Sequence, residues 1–433
     1  MSLRKQAEEL GIRYFLISYS DLFGAARAKL VPAKAIDSIC EEGATFAGFA
    51  TWLDMTPADP DVFAIPDPAS LIQLPWNPEV GWLASDLWMN GKPVAHAPRN
   101  VLKNSLSRIR ERGFEMQTGV ECEFFLLSRD GQVIADPYDN QIKPCYDQQA
   151  LMRHYDLITE ICDALDGMGW QPYQNDHEDA NGQFEINWKY SEALVTADRQ
   201  SFFKYMVKTL AEKRGLRATF MPKPFQRLTG SGCHAHVSLW DRERGVSLFA
   251  HPSDESDLSP LAYQFIGGVM HSAEALCAIV NPTVNSYRRI NATATTSGAT
   301  WSPSTISFSG NNRTHLIRIP GGGRFELRLV DGSANPYLLS AAILEAGMDG
   351  IQQQRDPGRP STVNAYRDRT GLSDARQLPE NLLDALRAFE ANPILQSGLG
   401  EEFSRAYLKL KRAEWRDYAT HVSAWEMANT LDC

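Results

Sequence analysis

The stretch from Thr219 to Trp240, TFMPKPFQRLTGSGCHAHVSLW, decides how the rest of the chain is read. An apolar run ends at Pro222, Lys223 and Pro224 open a loop, and Gly230 and Gly232 bracket Ser231. His234, Ala235 and His236 then lead into an alternating stretch, which predicts a strand. Residues two apart on a strand share a face, about 6–7 Å apart. Two imidazoles on one face, fed by a loop that lets backbone come close, form a platform for a metal or a phosphate. A glycine turn feeding a strand with two polar histidines is the plainer reading. The supply of carboxylates elsewhere decides between them.

That supply is large. In GVECEFFLL (119–127), Glu121 and Glu123 share one strand face while Cys122 and Phe124 pack on the other. Two buried like charges cost several kcal/mol unless protonated or paired with a cation. HEDANGQFEINW (177–188) adds Glu178 and Glu185, with Gly182 turning the chain back and Asp179 read as turn chemistry. GGGRFELRLVDG (321–332) sets Glu326 between Arg324 and Arg328, which alone reads as a salt-bridge ladder. Together, five carboxylates and a histidine exceed what the nearby arginines neutralise. Their oxygens suit Mg²⁺ or Mn²⁺ in octahedral sites at about 2.0–2.2 Å. The arginine series Arg289, Arg313, Arg318, Arg324 and Arg328 completes a set suited to phosphoryl transfer, with guanidinium forks neutralising developing charge. The sequence contains no Walker loop or kinase motif.

The 433 residues suffice for two or three domains, or one large domain with an appendage. A net charge of −10 argues against a nucleic-acid or anionic-membrane partner. Seven cysteines without a CxxC pair fit a reducing compartment. The charged N-terminus is no signal peptide, and no apolar run approaches the ~18–20 residues of a bilayer span. A cytoplasmic protein is expected.

Along the chain, the pattern predicts a helix over 3–10, strands over 13–18 and up to Val31, and a helix over 32–42. Residues 57–98 are rich in Pro, Asp and Trp and read partly as loop, with apolar doublets such as Leu71-Ile72 marking short strands. A boundary near His96 separates a small β-rich domain (1–96) from a large one (97–433) opening on Pro98 at a helix first turn. Thereafter strands alternate with helices expected over 147–168, 197–213, 260–280, 335–354, 382–391 and 400–426. The result is one α/β or α+β catalytic-sized domain behind a smaller β domain.

The segments ECE, EDANGQFE, KPF…GSGCHAH, NPTVNSYRR, NRTHLIRIP and RFELR, in this order, resemble the glutamine synthetase family. The likeness extends through ANPYLLSAAILEAGMDG to the LKRAEW helix, and RYFLISYSDLFG and FAGFATWLDMTP look closest to type III glutamine synthetases and glutamate–methylamine ligases. The resemblance implies an α+β fold: a β-grasp-like N-terminal domain, then an antiparallel half-barrel surrounded by helices. It implies an ATP-dependent ligase that phosphorylates the γ-carboxylate of L-glutamate and transfers the acyl group to an amine. Carried over by motif, Glu123, Glu178 and Glu185 hold the metal nearer glutamate, and Glu121, His234 and Glu326 hold the one bridging ATP phosphates. Gly230, Arg289 and Arg328 bind glutamate. His236 and Ser238 contact ATP, with Arg313, Arg318 and Arg324 on its phosphates and the transferred group. A ring oligomer, a double-ring dodecamer, is also implied.

Three departures bear on the amine. Ala47, in Phe46-Ala47-Gly48-Phe49-Ala50, stands where the family has an aspartate for ammonium. The flap Ile290–Gly310 contains no acid where the family has a glutamate, and Thr229 replaces an asparagine. Ala47, Phe49 and Trp301 offer apolar surface instead, Tyr146 matches the family tyrosine near the amine, and Asp54 or Glu178 is the expected base. Methylamine is the expected amine, with ammonia or another small amine as alternatives. A non-catalytic relative and a guanidino kinase are the competing classes.

Overall fold

The computed structural model describes residues 2–254, 257–292, 295–367, 372 and 374–433. The first helix, Leu3–Leu10, is capped by the Ser2 side chain and stopped by Gly11 at φ 71°. Strands Tyr14–Ser20 and Ala26–Pro32 then pair antiparallel around the Asp21–Gly24 turn. Asp21, fully buried, holds that turn by accepting from the Phe23 and Ala25 amides and the Arg27 guanidinium.

The central strand of this seven-stranded sheet is Val80–Met89, ten residues long in a stretch where only short strands and loop were expected. It pairs parallel with Tyr14–Ser20 and antiparallel with Val62–Pro66. Its first six residues are all buried. A strand covered on both faces loses the alternation by which a strand is recognised, and the prolines around it suggested a loop. Gly81 is needed here, because a Cβ would lie 3.0 Å from both the Phe15 ring and Leu71. The helix expected over 32–42 is a short 3₁₀ turn, Ala33–Ala35, followed by helix Ile36–Glu42.

A ten-stranded sheet follows, built on Phe114–Leu127 and Cys233–Asp241. Outward from this antiparallel pair lie Gln183–Trp188 and Pro172–His177 on one side, and Phe325–Leu327 and Ile317–Arg318 on the other. The fold is α+β, as expected. Helices Pro98–Glu111, Ala193–Lys213, Pro260–His271 and Pro336–Gln352 bury their apolar residues in the same core as this sheet. The last two meet backbone to backbone: a Cβ on Gly268 would lie 2.6 Å from the Gly350 amide nitrogen. Three expected helices are interrupted. The first breaks at His154, the apolar one at Ser272, and the tail helix ends at Thr420 before a separate helix, Ala424–Thr430. Local capping by Ser423, whose side chain accepts from the Glu426 amide, starts that last helix.

Arg99, on the helix between the two sheets, joins them. Only 4% exposed, it donates to Asp198 at 3.0 and 2.9 Å, to Asp67 at 2.8 Å and to Asp86. Asp67 and Asp86 belong to the first sheet's side and Asp198 to the Ala193–Lys213 helix. Removing one partner of a buried ion network costs about 3–5 kcal/mol, because the remaining charges stay buried. Arg99→Met is therefore expected to lower the unfolding midpoint markedly in a thermal or urea titration; an unchanged midpoint would contradict this role.

Candidate active site

Register places the predicted ligands side by side. His234 lies directly opposite Glu121, His236 opposite Glu326, and Glu185 opposite Glu123. Residues two apart then fall on one face, as the spacing predicted. On the other face Cys122 and Phe124 are fully buried, and Cys122 Sγ sits 3.3 Å from Cys233 Sγ. The Gly182 turn, at φ 73°, brings Glu178 back beside this face.

The ligand atoms converge. His234 Nδ1 is 3.2 Å from Glu121, 3.6 Å from Glu326 and 3.9 Å from Glu123. His236 Nε2 is 2.9 Å from the other Glu121 oxygen. Three overlapping groups have donor atoms within 4.8 Å of one another: Glu123, Glu178 and Glu185; Glu121, Glu185 and His234; and Glu121, His236 and Glu326. The first is the set expected for one metal. The expected second set, Glu121, His234 and Glu326, is not one of these groups: His234 falls with Glu121 and Glu185, and Glu326 with Glu121 and His236, although His234 Nδ1 lies within 3.6 Å of both Glu121 and Glu326.

Charge and orphaned atoms test whether a cation fits. Burial first, then the neighbouring charge of Glu123, pushes the Glu178 carboxyl well above its ordinary range. Burial and Glu121 do the same to Glu185. For Glu121 burial acts the same way but is outweighed by the hydrogen bonds with His234 and His236, so its carboxyl falls well below that range. His234 Nε2 is buried without a hydrogen-bond partner among the described residues. Gly232 leaves a cradle beside it: a Cβ would lie 2.8 Å from His234 Nε2, 2.9 Å from Arg289 Nη2 and 3.0 Å from Glu123 Oε1. Crowded carboxylate oxygens, an orphaned imidazole nitrogen and open space match a hard divalent cation such as Mg²⁺ or Mn²⁺.

The arginines divide. Arg318, at 2.7 Å, and Arg328 donate to opposite oxygens of Glu326, which is fully buried. Arg318 and Arg328 thus reach phosphate or glutamate only from beside this carboxylate. Arg289, 2% exposed, donates to the Leu329 and Arg328 carbonyls and turns Nη2 toward the Gly232 cradle. Gly230 packs where a Cβ would collide with the Pro222 carbonyl. Arg324 donates to His236 Nδ1 at 3.2 Å, whereas Arg313 is exposed, its carbonyl accepting from Tyr366.

Glu121, His236, Ser238 and Arg324 line a cleft of about 400 Å³ together with Tyr173, Tyr190 and Trp240. The motif reading missed these aromatics. The signal available was strand alternation, since Trp240 lies two residues beyond Ser238, whose hydroxyl accepts from its indole at 2.9 Å.

The amine region differs from expectation in several places. Asp179, read as turn chemistry, is a buried acceptor for three groups: Thr229 Oγ1 at 3.0 Å, Trp301 Nε1 at 2.7 Å and Ser297 Oγ. Two of these donors belong to the acid-free flap, within which Thr293 and Ala294 lie outside the described residues. Tyr146 is 70% exposed, with its backbone at φ 65°. Ala47 and Phe49 are exposed on the first domain and do not line the cleft. Asp54 makes an ion pair with Lys409 at 2.6 Å, which engages it elsewhere.

A methyl group on Gly232 would fill the cradle and press on His234 Nε2 and Glu123 Oε1 while leaving both residues in place. Alterations beside ligands typically cost about 10–100-fold in metal affinity. Gly232→Ala is expected to weaken Mn²⁺ binding by that range in calorimetry while circular dichroism stays native; unchanged affinity would show that the cation sits elsewhere.

The description "Glutamine synthetase, catalytic domain" matches residues 95–430. A protein named glutamine synthetase from Rhizobium leguminosarum bv. phaseoli is 58% identical, over 100% of this chain and 99% of its own. A glutamate–methylamine ligase from Methyloversatilis universalis is 42% identical over 98% and 97%. A solved structure described as "GmaS/ADP complex-Conformation 1" superposes with a TM-score of 0.96 at 58% identity, each chain covered in full. Length and architecture agree throughout: the chain belongs to the glutamine synthetase family of ATP-dependent ligases.

Proposed function

We propose that the protein joins the γ-carboxyl of L-glutamate to methylamine with hydrolysis of ATP to ADP and phosphate. The observation that carries this reading is the flap without acids whose Trp301 indole bonds to buried Asp179. An alkylammonium needs one anionic partner and apolar surface for its carbon. Asp179 and Trp301 supply the pair, in place of the acids the family uses for ammonium. The methylamine ligase from Methyloversatilis universalis supports the same reading.

In this proposal Glu123, Glu178 and Glu185 hold one divalent cation and Glu121, His234 and Glu326 the other. Bound there, the cations neutralise phosphoryl oxygens. His236, Ser238 and Arg318 seat ATP, and Gly230, Arg289 and Arg328 seat glutamate. A γ-carboxylate oxygen of glutamate attacks the γ-phosphorus and ADP leaves, with Arg313 and Arg324 on the transferred group. One of the site's carboxylates, Glu178 among them, takes one proton from the alkylammonium; the freed amine nitrogen then attacks the acyl carbon, phosphate leaves, and the remaining extra proton passes to the same carboxylates. Tyr146 and Thr229 border the amine.

Ala47 and Phe49 fit this scheme only from a neighbouring copy, so the proposal includes a ring oligomer, a double-ring dodecamer. The exposed Phe49 and Trp52, each 49% exposed, and a final helix with no buried residue support assembly. A cytoplasmic location is part of the proposal; among the described residues no helix is long and apolar enough to cross a membrane.

The name of the Rhizobium leguminosarum relative favours a second reading, with ammonia as the amine. A methyl group is worth about 1–3 kcal/mol in an apolar pocket, or about 10–200-fold. Methylamine is therefore expected to exceed ammonia by at least ~10-fold in kcat/KM, in a panel with products weighed by mass spectrometry. Preference for ammonia would return the protein to glutamine synthesis. Asp179→Asn is expected to raise the methylamine KM at least ~10-fold while ADP affinity holds; an unchanged KM would free Asp179 of this role.

A further inference from the structure

The loop before helix Gln148–Arg153 carries an acid that the reaction scheme leaves unused. Asp139, 3% exposed, lies 38 to 43 positions from the turn joining strand Pro172–His177 to strand Gln183–Trp188. Among the described residues, every side-chain hydrogen bond of Asp139 goes to that turn. Its Oδ2 lies 2.6 Å from His177 Nε2 and accepts from the Gly182 amide, and its Oδ1 accepts from Asn181 Nδ2 at 2.9 Å. One carboxylate thus grips both ends of the turn, His177 where it starts and Asn181 and Gly182 where it closes. His177 is itself fully buried, edge-on to the Phe184 ring at 5.1 Å, with Nδ1 2.9 Å from the Pro144 carbonyl. The His177 carbonyl accepts from the Tyr146 amide at 2.8 Å, which ties the turn to the same loop a second time.

Between the gripped ends stand Glu178 and Asp179. Glu178 meets Glu123 and Glu185 in one of the candidate cation groups, and Asp179 meets Thr229 and Trp301. The Glu178 carboxylate also accepts from the Asp179 amide at 3.1 Å. Consecutive Cα atoms are held at a fixed separation by the peptide bond. A tilt of this turn therefore displaces both carboxylates at once. We propose that Asp139 is a positioning residue for the ligase reaction: by clamping this turn it fixes the spacing between the cation held by Glu178 and the amine received by Asp179. The inference rests on the roles given to Glu178 and Asp179 under the proposed function.

The clamp needs a carboxylate. The Asn181 and Gly182 nitrogens can only donate, and they approach different oxygens of Asp139. Asp139→Asn leaves one acceptor oxygen and puts an NH₂ donor in the other position, so one end of the turn loses its partner whichever way the amide is rotated. The size of the side chain is kept while the grip on one end is lost.

The test compares Asp139→Asn with the unaltered protein by Mn²⁺ and ADP calorimetry and by steady-state kinetics, with methylamine and with ammonia as the amine. Asp139→Asn is expected to weaken Mn²⁺ binding and to raise the amine KM at least tenfold each, whichever amine is used, the order of effect seen behind metal ligands. ADP affinity and the glutamate KM are expected to stay within twofold. A purely structural role would instead lower the unfolding midpoint and kcat with both KM values unmoved. That outcome, or a shift in only one of the two linked constants, would overturn the clamp. Should Asp139→Asn fail to fold, Asn181→Ala frees one end alone and is expected to move the same two constants in the same directions; no movement there overturns the proposal as well. Glu178→Gln separates the clamp from the reading beneath it. Weaker Mn²⁺ binding in Glu178→Gln but not in Asp139→Asn removes the clamp and keeps the cation seat, whereas unchanged binding in both removes the seat and the clamp with it.

Discussion

Repulsion among glutamates is the constraint on which the molecule turns. Three strands distant in the chain bring Glu121, Glu123, Glu185 and Glu326 onto one face, and a glycine turn adds Glu178. Left alone these charges would oppose folding. Glu326 is relieved by Arg318 and Arg328, and Glu121 by two imidazoles. Glu178 and Glu185 have no arginine, and their carboxyls are pushed toward the protonated form. A cation that binds there favours the folded chain by the full difference between folded and unfolded affinity. The same crowding that makes the cleft unfavourable when metal-free makes it a strong seat for divalent ions.

The scaffold around the cleft limits how that strain can relax. The carboxylates stand on paired strands whose other face is a sealed core of Cys122, Phe124, Cys233 and Ala235. Strands so buried cannot move apart without opening that core. Arg99 and its three aspartates link this body to the first sheet. Mobility is left to the loops: the flap leans on Asp179 and on the Arg227 carbonyl, both by a few hydrogen bonds.

Much of this was legible in the sequence, and the reason is the period of the strand. Glu-x-Glu, His-x-His and Arg-x-Glu-x-Arg declare their faces locally, so the cleft could be assembled from motifs before any contact was known. The central strand Val80–Met89 was hidden because burial on both faces erases that period. Asp179 was hidden for another reason. Its neighbours in sequence look like a turn, and the three groups that use it come from residues 50, 118 and 122 positions away. Helix breaks at His154 and Ser272 likewise answer to tertiary packing, since Ser272 Oγ accepts from Asn392.

The pairing of His234 with Glu121, and of His236 with Glu326, has a consequence for how the chain finds its fold. Were the Cys233–Asp241 strand to slide by one position, Cys233 and Ala235 would turn into the cleft and the imidazoles into oil. Such a misaligned sheet would assemble no cage, and a divalent ion would pass it by. The ion thus acts as an inspector of strand alignment, rewarding only chains whose hydrogen-bond ladder closed correctly.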